Sequence, residues 1–215
     1  MYLIGLCGRS GSGKSTVCRF LKEKGVYCID ADKVCHSVYD SNASCVDELC
    51  RRFGEEILSD GKVNRVLLGK AAYSAENGIK DLNAIAHKYI IAAILEEANT
   101  AFRDGYKFVV VDAPTLFESG LHLHCNGIVG VIANDAVTIG RLKTRDGLDE
   151  AMLKKRLDAQ KSNAFLVKNC TSVIKNNGSA KELRANTYKA MFVLQLKLGL
   201  IKPCKEGKRY VFKAC

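Results

Sequence analysis

GLCGRSGSGKSTV, residues 5–17, is the stretch on which the fold turns. Within it, Gly8-Arg9-Ser10-Gly11-Ser12-Gly13-Lys14-Ser15 fits the pattern G-x-x-x-x-G-K-[ST] without a gap. The residues before it, YLIGLC, form a short apolar run that reads as a buried strand. Those after it, STVCRFLKEKG, carry apolar residues at helical spacing and stop at Gly25. A glycine loop between strand and helix turns its N–H groups inward, so successive amides and the helix N-terminus surround a phosphate with partial positive charge. Lys14 is expected to reach the β- and γ-phosphates as a point charge, and the Ser15 hydroxyl to ligate Mg2+. Thr16, one step along the helix, is expected to complete the loop at an α-phosphate. The stretch therefore predicts a nucleoside triphosphate site. Strand and helix on either side set aside an accidental glycine-rich turn.

Working outward, VYCID (26–30) reads as a second buried strand and ADKVCHSVYD (31–40) as a helix directly after it. Two β-α units in succession predict a parallel sheet. From about Val46 to Arg103 the chain reads as helices only: VDELCRRFG, NRVLLGKAAYS, and a long segment from Lys80 ended by Asp104-Gly105. YKFVVVDAP is a third strand and GIVGVIA a fourth. DAVTIGRLKTR is a helix running into the charged segment DGLDEAMLKKRLDAQKS, and TSVIKNNG is a short fifth strand. The last helix, SAKELRANTYKAMFVLQLKLG, has a serine at its start and a glycine at its end. The expected fold is α/β, a five-stranded parallel sheet flanked by helices, with a helical insertion and a lid.

A chain of 215 residues buries enough surface to fold without staples, and 47% hydrophobic with 26% charged residues is what a soluble globular domain carries. Ten cysteines are scattered with no Cys-x-x-Cys pair or zinc-ligand spacing, and several, such as Cys7 and Cys28, sit in apolar runs. No export signal or membrane-length apolar run is seen, so reduced thiols and a cytoplasmic location are expected. The net charge of +10 suits an anionic partner. Aromatic residues make up only 7%, with no Trp, and are not interleaved with basic ones, which argues against a nucleic-acid partner.

Phosphoryl transfer needs an acceptor held in line and positive charge on the transferring group. Asp30 and Asp32 end the second strand and are expected near the γ-phosphate if that strand neighbours the first; one orients the attacking hydroxyl and accepts its proton, or caps a helix. Asp112, ending KFVVVD, stands where a carboxylate holds the Mg2+ shell. Arg141 and Arg145 are four apart and share a helix face, so they converge on one phosphate or make salt bridges with Asp146, Asp149 and Glu150; Lys154, Lys155 and Arg156 follow on the next helix. His87 lies beside Asn83 on the long helix, for packing or substrate contact, and His122 and His124 are expected to face solvent.

Taken in order, these markers resemble the dephospho-coenzyme A kinases. They are IGLCGRSGSGKSTV, IDADKVCHSV, FGEEILSDGKVNRVLLGKAAY, LNAIAHKYI, VVVDAPTLFESGL, RLKTRD, RLDAQ and VIKNNGSAKEL, spread from Leu3 to about Leu198. IDAD and LNAIAH are far more specific than the phosphate loop. The resemblance implies transfer of the ATP γ-phosphate to the ribose 3′-hydroxyl of dephospho-CoA. It implies Asp32 as base, Lys14 and Arg145 as catalytic, and His87 with Asn83 at the substrate. It also implies residues 8–16 (Gly8, Arg9, Ser10, Gly11, Ser12, Gly13, Lys14, Ser15, Thr16) with Arg141 at ATP, and Mg2+ at Ser15 and Asp112, directly or through water. The implied partners are the small molecules ATP and dephospho-CoA, without nucleic acid or membrane, for a monomer or weak homo-oligomer. The implied organisation is a core over 1–45, 105–140 and 165–200, a helical CoA-binding region over 46–104, a lid over 141–164 and a tail over 201–215. The chain departs from the family where members usually carry Gly-Ile in place of Arg9-Ser10, and a proline, read as a turn residue, in place of Lys88.

Overall fold

The computed structural model describes residues 1–201; most of the expected tail, 202–215, lies outside the described residues. Alternation explains the central strand. In β1 (Tyr2–Gly8), Ile4 and Leu6 face one side of the sheet and Leu3, Gly5 and Cys7 the other. Both faces must be covered, and they are. Ile4 and Leu6, with Val110, Val129, Val131 and Ile174 of neighbouring strands, form one cluster with Val17, Phe20 and Leu21 of α1 (Lys14–Lys22) and Met191 and Leu194 of α9 (Ala180–Lys197). On the opposite face Gly5 is pressed so closely that an added Cβ would lie 2.7 Å from Leu116 Cδ2.

The sheet has five strands in the order β2-β5-β1-β6-β7: β2 (Tyr27–Asp30), β5 (Phe108–Asp112), β6 (Gly127–Ile132) and β7 (Ser172–Lys175) around β1. β1 runs parallel to β5 (Ile4 opposite Val110) and to β6 (Leu6 opposite Val129), and β6 parallel to β7. The second strand therefore does not neighbour the first, which corrects the condition attached to Asp30 and Asp32: β5 stands between them. Val109, Val110 and Val111 are all fully buried, so β5 suits a central position, whereas β2 has a partly exposed Tyr27 and suits an edge. After β1 the chain moves to β2 and β5 on one side and then to β6 and β7 on the other. The C-terminal end of β1, where this direction reverses, is where open α/β sheets bind ligands.

Two compact units divide the described residues, one made of 1–28 with 101–201, the other of 29–100. The first unit also holds α6 (Asp135–Asp146), α7 (Glu150–Asp158) and α8 (Asn163–Asn169). α8, capped by Ser162, was not foreseen. α9 begins with a reciprocal capping box between Ser179 and Glu182.

The second unit contains α2 (Ala31–Ser41), α3 (Ala43–Phe53), α4 (Arg65–Ser74) and most of α5 (Gly78–Arg103). Side chains of Asp30, Asn42 and Asn64 cap the first three. The expectation of helices alone from Val46 to Arg103 is corrected by an antiparallel hairpin of β3 (Leu58–Ser59) and β4 (Lys62–Val63). Asp60-Gly61 joins them with φ values of 52° and 74°, the Asp-Gly signature of a two-residue hairpin turn. Among the described residues no helix is long and apolar enough to cross a membrane.

Candidate active site

The loop after β1 leaves its donors open. Ser12 N–H closes a turn on Arg9 O at 3.1 Å, and the N–H groups of Thr16 and Val17 both return to Gly13 O. Among the described residues the N–H groups of Gly11, Gly13, Lys14 and Ser15 have no acceptor. Four unsatisfied amides at a helix N-terminus form an anion site. Lys14 Nζ donates to Gly8 O at 2.8 Å, which folds the ammonium across the mouth of the same loop.

Glycine at position 13 is enforced from outside. Its φ is +99°, and a Cβ there would lie 2.3 Å from Asn176 Nδ2. Asn176, just past β7 and only 4% exposed, donates Nδ2 to Ser12 O at 2.7 Å. The guanidinium of Arg141 in α6 bonds the same residue twice, Nη1 to Asn176 O at 3.1 Å and Nη2 to Asn176 Oδ1 at 3.2 Å, with Nη1 3.5 Å from Gly11 O. Arg9 turns away from the loop mouth: Nη1 pairs with Asp135 Oδ1 at 2.6 Å. Ser10 N–H donates to Gln160 Oε1, and Gln160 Nε2 donates back to Ser10 Oγ, both at 2.9 Å.

Asp112 ends β5, and its Oδ2 accepts from the Cys18 thiol at 3.8 Å. Cys18 is one turn beyond Ser15, so Asp112 lies beside the face of α1 that carries Ser15. The neighbouring Cys28 thiol, burial and the Asp112 charge push the Cys18 thiol far up, and it stays a neutral donor. A hydroxyl and a carboxylate are hard oxygen donors of the type Mg2+ takes, so Ser15 and Asp112 would suit that ion.

Arg141 and Arg145 do not converge. While Arg141 is held against Asn176, Arg145 forks onto Asp146, Nε to Oδ1 at 2.6 Å and Nη2 to Oδ2 at 2.9 Å, and Arg156 of α7 bonds the same carboxylate at 2.9 Å. The salt-bridge alternative thus describes Arg145 in this structure. Bonding to Arg145 holds the Asp146 carboxyl below the usual range. His122 does not simply face solvent: its ring packs at 5.0 Å from that of Phe117 and Nδ1 lies 3.3 Å from Leu116 O, because the short turn Leu121–His124 folds it inward. His124 is exposed as expected.

Within the second unit, the two aspartates of IDAD part roles. Asp30 Oδ1 accepts from the N–H groups of Asp32 and Lys33 at 3.1 and 3.2 Å and caps α2. Asp32 is exposed in the first turn, and among the described residues its carboxylate has no partner. One turn on, His36 meets Arg65 of α4, whose Nη1 faces its ring nitrogens. On α5, Asn83 is exposed and His87 half-buried; burial pushes the His87 pKa down, which favours neutral imidazole. Lys88 is not at a turn, because α5 runs through it without a break. Its Nζ pairs with Glu48 Oε2 of α3 at 2.5 Å, and Tyr89 OH reaches the same oxygen at 2.9 Å.

A family model for dephospho-CoA kinase matches residues 2–182. The chain belongs to the dephospho-CoA kinase family. It is 36% identical to a dephospho-CoA kinase of Geobacillus kaustophilus over 84% of this chain and 90% of that one. It is 33% identical to the dephospho-CoA kinase CAB5 of Saccharomyces cerevisiae over 85% of this chain and 78% of that one. The solved structure of a dephospho-CoA kinase from Campylobacter jejuni superposes with a TM-score of 0.68 at 25% identity, covering 93% of this chain and 98% of that one.

Three groups described above were not singled out from sequence. Asn176 and Gln160 lie in the markers VIKNNGSAKEL and RLDAQ, yet nothing in a single sequence tells which polar side chain turns inward. Arg65 follows the capping Asn64 and reads as an ordinary helix start.

Proposed function

We propose that the chain transfers the γ-phosphate of ATP to the ribose 3′-hydroxyl of dephospho-CoA, giving coenzyme A. The observation that supports it most is the loop with four open amides and Lys14 at its mouth, in a chain that matches the dephospho-CoA kinase family model over residues 2–182. In this reading Lys14 exchanges Gly8 O for phosphate oxygens, a swap of one acceptor for a charged and stronger one. Residues 8–16 form the loop that holds the triphosphate, through the open amides of Gly11, Gly13, Lys14 and Ser15. Ser15 and Asp112 hold Mg2+, which when bound neutralises charge on the phosphates. Arg141 supports the loop from behind. Arg145 leaves Asp146 to meet the transferring group, and its exchange of one anion for another costs little at an exposed site.

Asp32 is assigned the acceptor hydroxyl. Asp30 already serves as the cap, so the exposed carboxylate of Asp32 is available to orient that hydroxyl and take its proton. Asn83 and neutral His87 bind the substrate as hydrogen-bonding groups, without adding charge. The working form is a monomer or weak homo-oligomer in the cytoplasm.

The test is coupled ADP release with Mg-ATP, with and without dephospho-CoA, and identification of a 3′-phosphate on the product. Acceptor-dependent ADP with CoA formed is expected. ADP release indifferent to dephospho-CoA would overturn the acceptor while leaving the nucleotide site standing. Asp32→Asn is expected to lower turnover strongly with ATP affinity nearly unchanged, and normal turnover in that variant would remove Asp32 from the proton-accepting role.

A further inference from the structure

The first half of the phosphate loop is tied down by contacts from Asp135 and Gln160. Arg9 is only 9% exposed, and among the described residues its one carboxylate contact is Asp135, the first residue of α6, 126 positions along the chain. Its Nε is buried without a hydrogen-bond partner. Among the described residues this guanidinium meets one carboxylate, and that of Asp135 stands at the surface with its side chain 60% exposed, so the contact fixes where the Arg9 side chain ends. The next residue, Ser10, makes a two-way bond with Gln160, just beyond α7 and 150 positions away. Between them the turn from Ser12 N–H to Arg9 O sets where the chain re-enters the loop. The four open amides begin immediately after this pinned stretch.

We propose that Arg9–Asp135 and Ser10–Gln160 act as two latches that set nucleotide affinity, with Arg9, Asp135, Ser10 and Gln160 as positioning residues. The proposal rests on the reading of the loop as the ATP site. None of the four needs to touch ATP. A short glycine-rich loop has many conformations to lose on binding a phosphate, and a loop already fixed at its outer edge loses fewer. The second latch also joins the loop to the end of the α6–α7 segment that carries Arg141, Arg145 and Arg156. That gives one framework for the amides and the arginines.

The experiment measures Mg-ATP binding by calorimetry on the full chain, with amide exchange at Ser10 followed by NMR. Gln160→Leu and Arg9→Met are each expected to raise the Kd for Mg-ATP about ten-fold, equivalent to about 1.4 kcal/mol. The KM for dephospho-CoA is expected to stay unchanged, and Gln160→Leu to speed exchange of the Ser10 amide. Gln160→Glu, which keeps an acceptor for Ser10 N–H and another for its hydroxyl, is expected to bind within about three-fold of the parent. Where Arg9→Met fails to fold, Asp135→Asn serves in its place, since it removes the carboxylate of the same pair at its exposed end. It is expected to weaken binding about three-fold. A Kd within two-fold of the parent in Gln160→Leu, whether or not the melting temperature falls, overturns the latches and leaves a structural contact only. Failure of the parent itself to bind Mg-ATP overturns the nucleotide reading instead.

Discussion

Replacing Asn176 by alanine is the sharpest probe of how the phosphate loop is built. The side chain is 4% exposed and makes two bonds that vanish in the variant, Nδ2 to Ser12 O at 2.7 Å and the bond from Arg141 Nη2 to Oδ1 at 3.2 Å. The neutral bond is worth about 1 kcal/mol and the charge-assisted one about 1.5–3 kcal/mol. The bond from Arg141 Nη1 to Asn176 O survives, because it uses backbone. The expected loss is therefore about 3 kcal/mol, which for a domain of this size lowers the melting temperature by about 6–12 °C. The assay is thermal and urea unfolding of Asn176→Ala beside Asn177→Ala. Asn177 is exposed and among the described residues bonds only Asn134, so its loss is expected to stay below about 1 kcal/mol. Equal, small losses in the two variants would show that Asn176 does not support the loop. A large loss in Asn176→Ala with Mg-ATP affinity unchanged would show that the network stabilises the fold without shaping the amides.

The other expectations are briefer. Gly13→Ala, with φ at +99° and Asn176 Nδ2 in the way, is expected to weaken Mg-ATP binding at least ten-fold, whereas Gly140→Ala, in the interior of α6 with open space around it, is expected to stabilise by about 0.5–1 kcal/mol; denaturant titration and calorimetry read both. Burial pushes the His87 pKa below its ordinary 6.5, so between the depressed value and 6.5 the unfolded chain holds more protons than the folded one. Stability therefore rises with pH across that window and is lost as pH falls through the folded value; His87→Gln is expected to flatten the slope measured by urea midpoints at pH 5 to 7. Leu194→Ala, at a fully buried position of α9 packed over Gly127, is expected to cost about 2–5 kcal/mol by the same unfolding measurement.

The sheet was legible because each strand is a short apolar run, the first two ended by Gly8 and Asp30 ahead of a helix start and the third closed by Asp112. Strand order was not. Whether β2 lies beside β1 depends on where β5 inserts, and that is decided by which strand has both faces covered, a property of the assembled sheet. The β3–β4 hairpin was legible in principle, since Asp60-Gly61 supports the required positive φ at both positions. It was missed because two-residue strands show no alternation.

The candidate site divides along the same line. Lys14, Ser15 and Asp112 are recognisable one at a time, because each sits at the end of a strand or in a loop of fixed spacing, whereas Asp32, in the first turn of α2, was told from Asp30 by the resemblance alone. Their supports are long-range: Asn176 meets Ser12, and Gln160 meets Ser10, across about three-quarters of the chain. Arg9 shows what this does to a reading from sequence. By position it belongs to the loop and suggests added charge at the phosphates, but its side chain leaves the mouth and spends that charge on Asp135. Lys88 shows the same on α5, where it stands in place of the family's proline and its side chain fixes the helix to Glu48 of α3. In both cases position along the chain indicated which segment a residue belongs to, and only the fold showed which way the side chain turns. That distinction separates a residue that binds ATP from one that holds the binding loop in shape.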